Sequence, residues 1–151
     1  MNTRSFLLSA LISGAVIGVL ANLPVLNLIN CFLCIWVWVG GILAVYLYQR
    51  FQREGPSLTG GQGAGLGAVA GLIGAFIGVV VYALTSFIST PLFQGLANLF
   101  DIGDLPFTSG GWTGVFISAF FFFTMDAILY PLFGALSGLL GASLFKKEPQ
   151  A

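Results

Sequence analysis

Apolar residues fall into four long stretches divided by short polar ones. They run from about Phe6 to Ala21, Phe32 to Tyr48, Gly63 to Ile88 and Trp112 to Phe145. A helix needs roughly 20 residues to cross the hydrocarbon core of a bilayer. The first two stretches are adequate with their flanks, and the third is long enough to tilt. The fourth would reach about 50 Å at ~1.5 Å per residue. Two crossings inside it would need a tight reversal near Pro131, leave each half too short and put Lys146 on the wrong side. One crossing that ends at Lys146 and Lys147 is the expectation. Thr113–Thr124 would then extend outward, kink at Pro131 or lie partly in the interface. The pattern predicts an all-α, polytopic membrane protein, a bundle of four transmembrane helices at about 5–22, 32–50, 62–88 and 113–145.

The linkers fit this division. Residues Arg50 to Gly61 hold Arg50, Arg53, Glu54, Pro56 and three glycines, and read as a short aqueous loop. Asn22 to Asn30 is short and uncharged, and is expected against the outer surface or dipping into the bundle. Ser89 to Gly111 is the longest connection. Within it Thr90-Pro91 resembles an N-cap followed by proline at the first helical position. Leu92, Phe93, Leu96, Leu99 and Phe100 follow at helical spacing. A short interfacial helix ending near Asp101 and Gly103 is expected there, between the third and fourth spans.

Composition independently points to a membrane. Hydrophobic residues make up 58% of the 151 and charged residues 7%, against about 25% charged in a soluble domain. So little charge cannot keep a globule in water, whereas lipid solvates apolar helix faces. There are five Lys plus Arg, five Asp plus Glu and no histidine. No basic patch exists for nucleic acid. The commonest metal ligand and neutral-pH base are missing, as is the usual haem ligand.

The placement of charge sets an orientation. Four crossings put Arg4, Arg50, Arg53, Lys146 and Lys147 on one side and Asp101 and Asp104 on the other. Basic residues stay cytoplasmic during insertion. The N-terminus, the Arg50–Gly61 loop and the C-terminus are therefore expected in the cytoplasm. Trp36, Trp38 and Trp112 would mark the outer interface, and Tyr46 and Tyr48 the inner one. A second reading takes MNTR and the run to Val19-Leu20-Ala21 as a signal peptide cleaved after Ala21, which would leave three crossings.

Small residues recur four apart, hence on one helix face. The first stretch has Ala10, Gly14 and Gly18. The third has Gly63, Gly67 and Gly71, and a second row of Ala70, Gly74 and Gly78. The fourth has Gly134, Gly138 and Ala142. Such faces let two backbones approach, so that van der Waals packing replaces the missing hydrophobic drive. Packing within one bundle is the plain expectation. Two rows on the third helix also allow one to meet a second subunit.

Three further features bear on chemistry. Cys31 and Cys34 form a Cys-x-x-Cys at the outer start of the second helix. This is either a redox dithiol or two small apolar residues in a membrane helix. Two thiols without histidine do not complete a tetrahedral metal site. Asp126 is the sole acidic residue inside an apolar run, a default candidate for an ion or partner contact. Counting about 30 Å back from Lys146 puts it near the outer interface, and a helix beginning at Trp112 would put it near mid-membrane. Phe120 to Phe123 surround their helix with rings, which suits lipid or packing, or a lipid, quinone or carotenoid tail. No catalytic triad, P-loop or carboxylate pair is present, so neither an enzyme nor a cofactor is expected.

Four membrane helices with an outward Cys-x-x-Cys resemble quinone-coupled disulfide oxidases in outline. Those enzymes relay electrons through a second cysteine pair, which this chain lacks, so the activity does not carry over. Asn30–Arg50 (NCFLCIWVWVGGILAVYLYQR), followed by the Gly61–Gly78 glycine-rich helix, is similar to small uncharacterised bacterial four-helix membrane proteins. That resemblance covers about half the chain and implies a bacterial inner membrane. The leading expectation is a non-catalytic accessory or structural subunit, with the bilayer and a homo-oligomer or larger membrane complex as partners. The alternatives are a small transporter or channel subunit using Asp126, with Ser9, Ser13, Asn22 and Thr124 along a path, and a redox partner using Cys31 and Cys34.

Overall fold

The computed structural model describes residues 2–23, 34–52, 57–99 and 111–145. They form four helices: α1 (Thr3–Asn22), α2 (Ile35–Phe51), α3 (Gly60–Leu99) and α4 (Gly111–Leu144). Three are long and apolar enough to cross a membrane, over Thr3–Asn22, Gly60–Thr85 and Phe116–Leu144. The shorter apolar α2 has 17 residues, or about 26 Å.

Local chemistry sets the helix starts. The Asn2 side chain caps α1 by accepting from the Arg4 N–H at 3.2 Å. Thr59 and Gln62 cap α3 reciprocally. The Thr59 N–H donates to Gln62 Oε1 at 3.1 Å, and the Gln62 N–H donates to Thr59 Oγ1 at 3.4 Å. This is a capping box, which satisfies two backbone donors at once. Cys34 precedes α2 at φ 49°, in the left-handed region, and makes no side-chain cap.

One boundary differs from expectation. The segment from Thr90 onward is continuous with α3 instead of forming a separate interfacial helix. A Thr-Pro pair is a local signal for a helix start. In an apolar setting, however, proline is tolerated inside a helix, because neighbouring groups satisfy the freed carbonyl. The fourth stretch is one helix from Gly111, with Pro131 inside it. The Asn22–Asn30 linker beyond Leu23, Arg53, Asp101, Asp104, Lys146 and Lys147 lie outside the described residues.

Interhelical contacts fix the arrangement. α3 packs on α1 and α4, and α2 packs on the same two helices. Gly14 approaches Ala70 and Gly18 approaches Gly74, so α1 and α3 run parallel. Gly63 meets Gly138 and Gly67 meets Gly134, so α3 and α4 are antiparallel. Gly40 meets Ile17, and Gly141 meets Val45. The core is made mostly of small or slender residues, among them Ala10, Ile17, Ala44, Val45, Leu66, Ala70 and Ala75, with Tyr48 and Tyr130 as its large members. Larger side chains point outward, including Leu72, Phe76, Val80 and Leu84 on α3.

Candidate functional site

The most fully built feature is the glycine contact between α3 and α4. A methyl group added at Gly67 would overlap the carbonyl oxygen of Gly134, and one at Gly134 would overlap that of Gly67. At Gly63 it would stand 2.5 Å from the Gly138 carbonyl oxygen. Gly71 lies against the Tyr130 carbonyl and the Pro131 nitrogen. The second row of α3 meets α1. A methyl at Gly18 would sit 2.7 Å from the Gly74 carbonyl oxygen, and Gly74 holds Ile17. Gly78 faces the Asn22 side chain, which itself donates to the Gly18 carbonyl at 3.0 Å. Both rows of α3 are therefore occupied within the chain.

Gly40 and Gly41 belong to the same packing system, although no four-residue row contains both. Gly40 receives Ile17 of α1, and Gly41 receives Ser137 of α4. Adjacent helical residues point about 100° apart, so one glycine pair serves two neighbours. The signal in the sequence was the Gly-Gly pair inside an apolar run. Ser137 Oγ donates to the Gly134 carbonyl at 3.0 Å and reaches the Val37 carbonyl of α2 at 3.4 Å.

Asp126 lies on α4 between two contacts with α3: Tyr130 against Gly71, and Phe123 against Phe76, with ring centroids 5.1 Å apart. It stands beside the interior of the α3 apolar stretch. Its carboxyl is hydrogen-bonded to Tyr130, one turn along, and Tyr130 is 3% exposed. The polar residues proposed to share a path with Asp126 are not brought together. Ser9 and Ser13 are fully buried. Thr124 is exposed, and its hydroxyl donates to the Phe120 carbonyl of its own helix at 2.8 Å.

Cys34 is half-buried at the start of α2, and Cys31 lies outside the described residues. Phe120, Phe121 and Phe122 are exposed. Phe122 packs on Tyr82 at 5.6 Å, and Phe123 turns inward. Tyr82 and Ser118 join α3 to α4 through a further hydrogen bond. Among the described residues, no three His, Cys, Asp or Glu side chains are grouped to hold a metal.

Compared with family models, curated proteins and solved structures, the chain matches none.

Proposed function

We propose that this chain is a non-catalytic integral membrane protein of four crossings, a small accessory or structural subunit. Its place is a bacterial inner membrane, with both termini cytoplasmic. One observation carries the reading. The glycine faces are used up joining the four helices, while α4 keeps an uncovered apolar side. In its most apolar stretch of 18 residues 17% are buried, against 39% in the corresponding stretches of α1 and α3. The uncovered side carries Phe116, Ile117, Phe120, Ile128 and Leu132. A partner subunit meets this side, not the glycine rows. The test is purification in mild detergent after photo-cross-linking from position 128. The expected product is a stoichiometric adduct with another membrane protein. Recovery of the chain with lipid alone would defeat the accessory role.

A second reading is a transporter or channel subunit in which Asp126 binds the moving cation. Two facts support it: the carboxyl lies beside the interior of an apolar stretch, and it is hydrogen-bonded to a deeply buried tyrosine. Charged groups at such positions are rare and are generally tied to function. Asp126→Asn is expected to abolish cation flux in reconstituted vesicles; unchanged flux rules the reading out.

A further inference from the structure

The register of α3 on α4 fixes the depth of Asp126. One turn to one side of it, Tyr130 lies against Gly71. Nearly one turn to the other, Phe123 packs on Phe76 at 5.1 Å. Asp126 is therefore level with the part of α3 between Gly71 and Phe76. That part is the middle of the 26-residue apolar stretch Gly60–Thr85. A charge at such a depth is costly and is generally tied to a partner or a pathway.

Aromatic rings bracket the carboxyl. Residues three and four apart on a helix are surface neighbours, so Phe122 and Phe123 adjoin Asp126 on one side and Tyr130 on the other. Phe122 is held against Tyr82 of α3, with ring centroids 5.6 Å apart. The carboxyl itself is hydrogen-bonded to Tyr130. One flank of this cluster opens sideways. Asp126 is half-buried, and its surface neighbours Phe122, Met125 and Leu129 are 41%, 45% and 37% exposed. The carboxyl is thus approached from the lipid side of α4, past a ring, a thioether and an aliphatic group.

A lone negative charge set among rings has a chemical complement. Calcium and magnesium ions take about six or more oxygen ligands. An organic cation takes one counter-charge and apolar contact, and ring faces attract it further. The described side chains that adjoin Asp126 are of the second kind. We propose that Asp126, with Phe122, Phe123 and Tyr130, binds a lipophilic organic cation that enters laterally from the bilayer. The carboxylate supplies the counter-charge, the Tyr130 hydroxyl orients the carboxylate, and Phe122 and Phe123 supply the apolar wall.

This inference rests on the reading of Asp126 as the cation site of a transporter or channel subunit. The probe is tetraphenylphosphonium, and tetraphenylborate, of the same shape and opposite charge, is its control. Each is offered to the full chain in mild detergent, and bound ion is read by equilibrium dialysis. Saturable binding of tetraphenylphosphonium alone is expected. Asp126→Asn should weaken it by about tenfold or more at an unchanged melting temperature. Phe122→Leu keeps an apolar side chain, removes the ring and should weaken it roughly two- to fivefold. Equal binding of the two ions overturns the proposal, as does unchanged affinity in either folded variant. Vesicle flux separates this inference from the reading beneath it. Metal-ion flux that depends on Asp126, without tetraphenylphosphonium binding, would keep the transport reading and remove this inference. Binding that depends on Asp126, without flux of any cation, would do the reverse.

Discussion

Glycine is an expensive helix residue, less favourable than alanine by about 0.8–1.0 kcal/mol in an exposed interior, so each one in α3 calls for a local reason. Gly67 has one. A side chain there would collide with the backbone of Gly134, which cannot swing aside as a flexible side-chain tip can. Gly65 is two residues away, exposed, with nothing within 4 Å of an added methyl group. The two positions therefore predict opposite outcomes for one substitution. Gly67→Ala is expected to destabilise by about 1–3 kcal/mol, the usual range for overpacking, because α3 and α4 must move apart. Gly65→Ala is expected to be neutral or to stabilise by up to about 1 kcal/mol. Thermal unfolding of the two variants in one detergent checks both. Equal shifts would mean that the Gly67–Gly134 approach is not what holds this pair together. The buried serines belong to the same close packing. Ser137 occupies the space that Gly41 leaves and returns its hydroxyl to backbone carbonyls on α4 and α2. The polar atom is thereby satisfied without needing water.

Helix existence was legible from apolar run length, and the starts of α1 and α4 came within about two residues of expectation. The end of α3 was not legible. Thr90-Pro91 carries the local signature of a new helix, yet the backbone continues to Leu99. A capping pair states a preference of a few residues, whereas the surrounding apolar setting favours unbroken backbone hydrogen bonding. Gly40-Gly41 was missed for a different reason. An adjacent pair has no four-residue period, so only the presence of two neighbouring helices reveals what each glycine is for. The Thr59–Gln62 capping box was present in the sequence as Thr-x-x-Gln. It was hidden inside a segment whose glycines and proline suggested loop throughout. Cys31 and Cys34 stand where periodicity is silent, ahead of a helix that opens on a left-handed residue. The continuity of α3 is open to direct measurement. Val80 and Leu99 are both exposed, and an unbroken helix puts 19 residues, or about 28 Å of rise, between them. Spin labels at these positions, in a chain with Cys31 and Cys34 replaced by serine, should give a single distance distribution near that value. A distance shorter by 10 Å or more, which is about a third of the expected rise, would mark a break at Thr90-Pro91.

At the scale of the whole molecule the question is whether α2 crosses. By length alone it falls about 4 Å short of a hydrocarbon core of ~30 Å. The packing supplies a stronger argument than length. α1 and α3 lie side by side and parallel, with Gly14 at Ala70, Gly18 at Gly74 and Asn22 at Gly78. After Asn22 the chain must therefore return to the end from which α1 started before α3 can begin. α2 is the one described element available for that return. It lies against Ile17 through Gly40 and against Gly141 through Val45, and its Arg50 end lies beside Phe145. Return through α2 brings Arg4, Arg50 and the end of α4 to one face of the molecule. Retention of basic residues in the cytoplasm then favours that face as the inner one. We accordingly expect probes placed before Thr3, at Ser57 and after Ala151 all to report from the cytoplasm, by reporter fusions at the two ends and by thiol labelling of Ser57→Cys in a chain without Cys31 and Cys34. A reporter after Ala151 that is active outside, together with a cytoplasmic N-terminus, would mean an odd number of crossings. It would also break either the parallel packing of α1 on α3 or the antiparallel packing of α4 on α3 that the glycine contacts require, so one measurement bears on the topology and on the helix arrangement together.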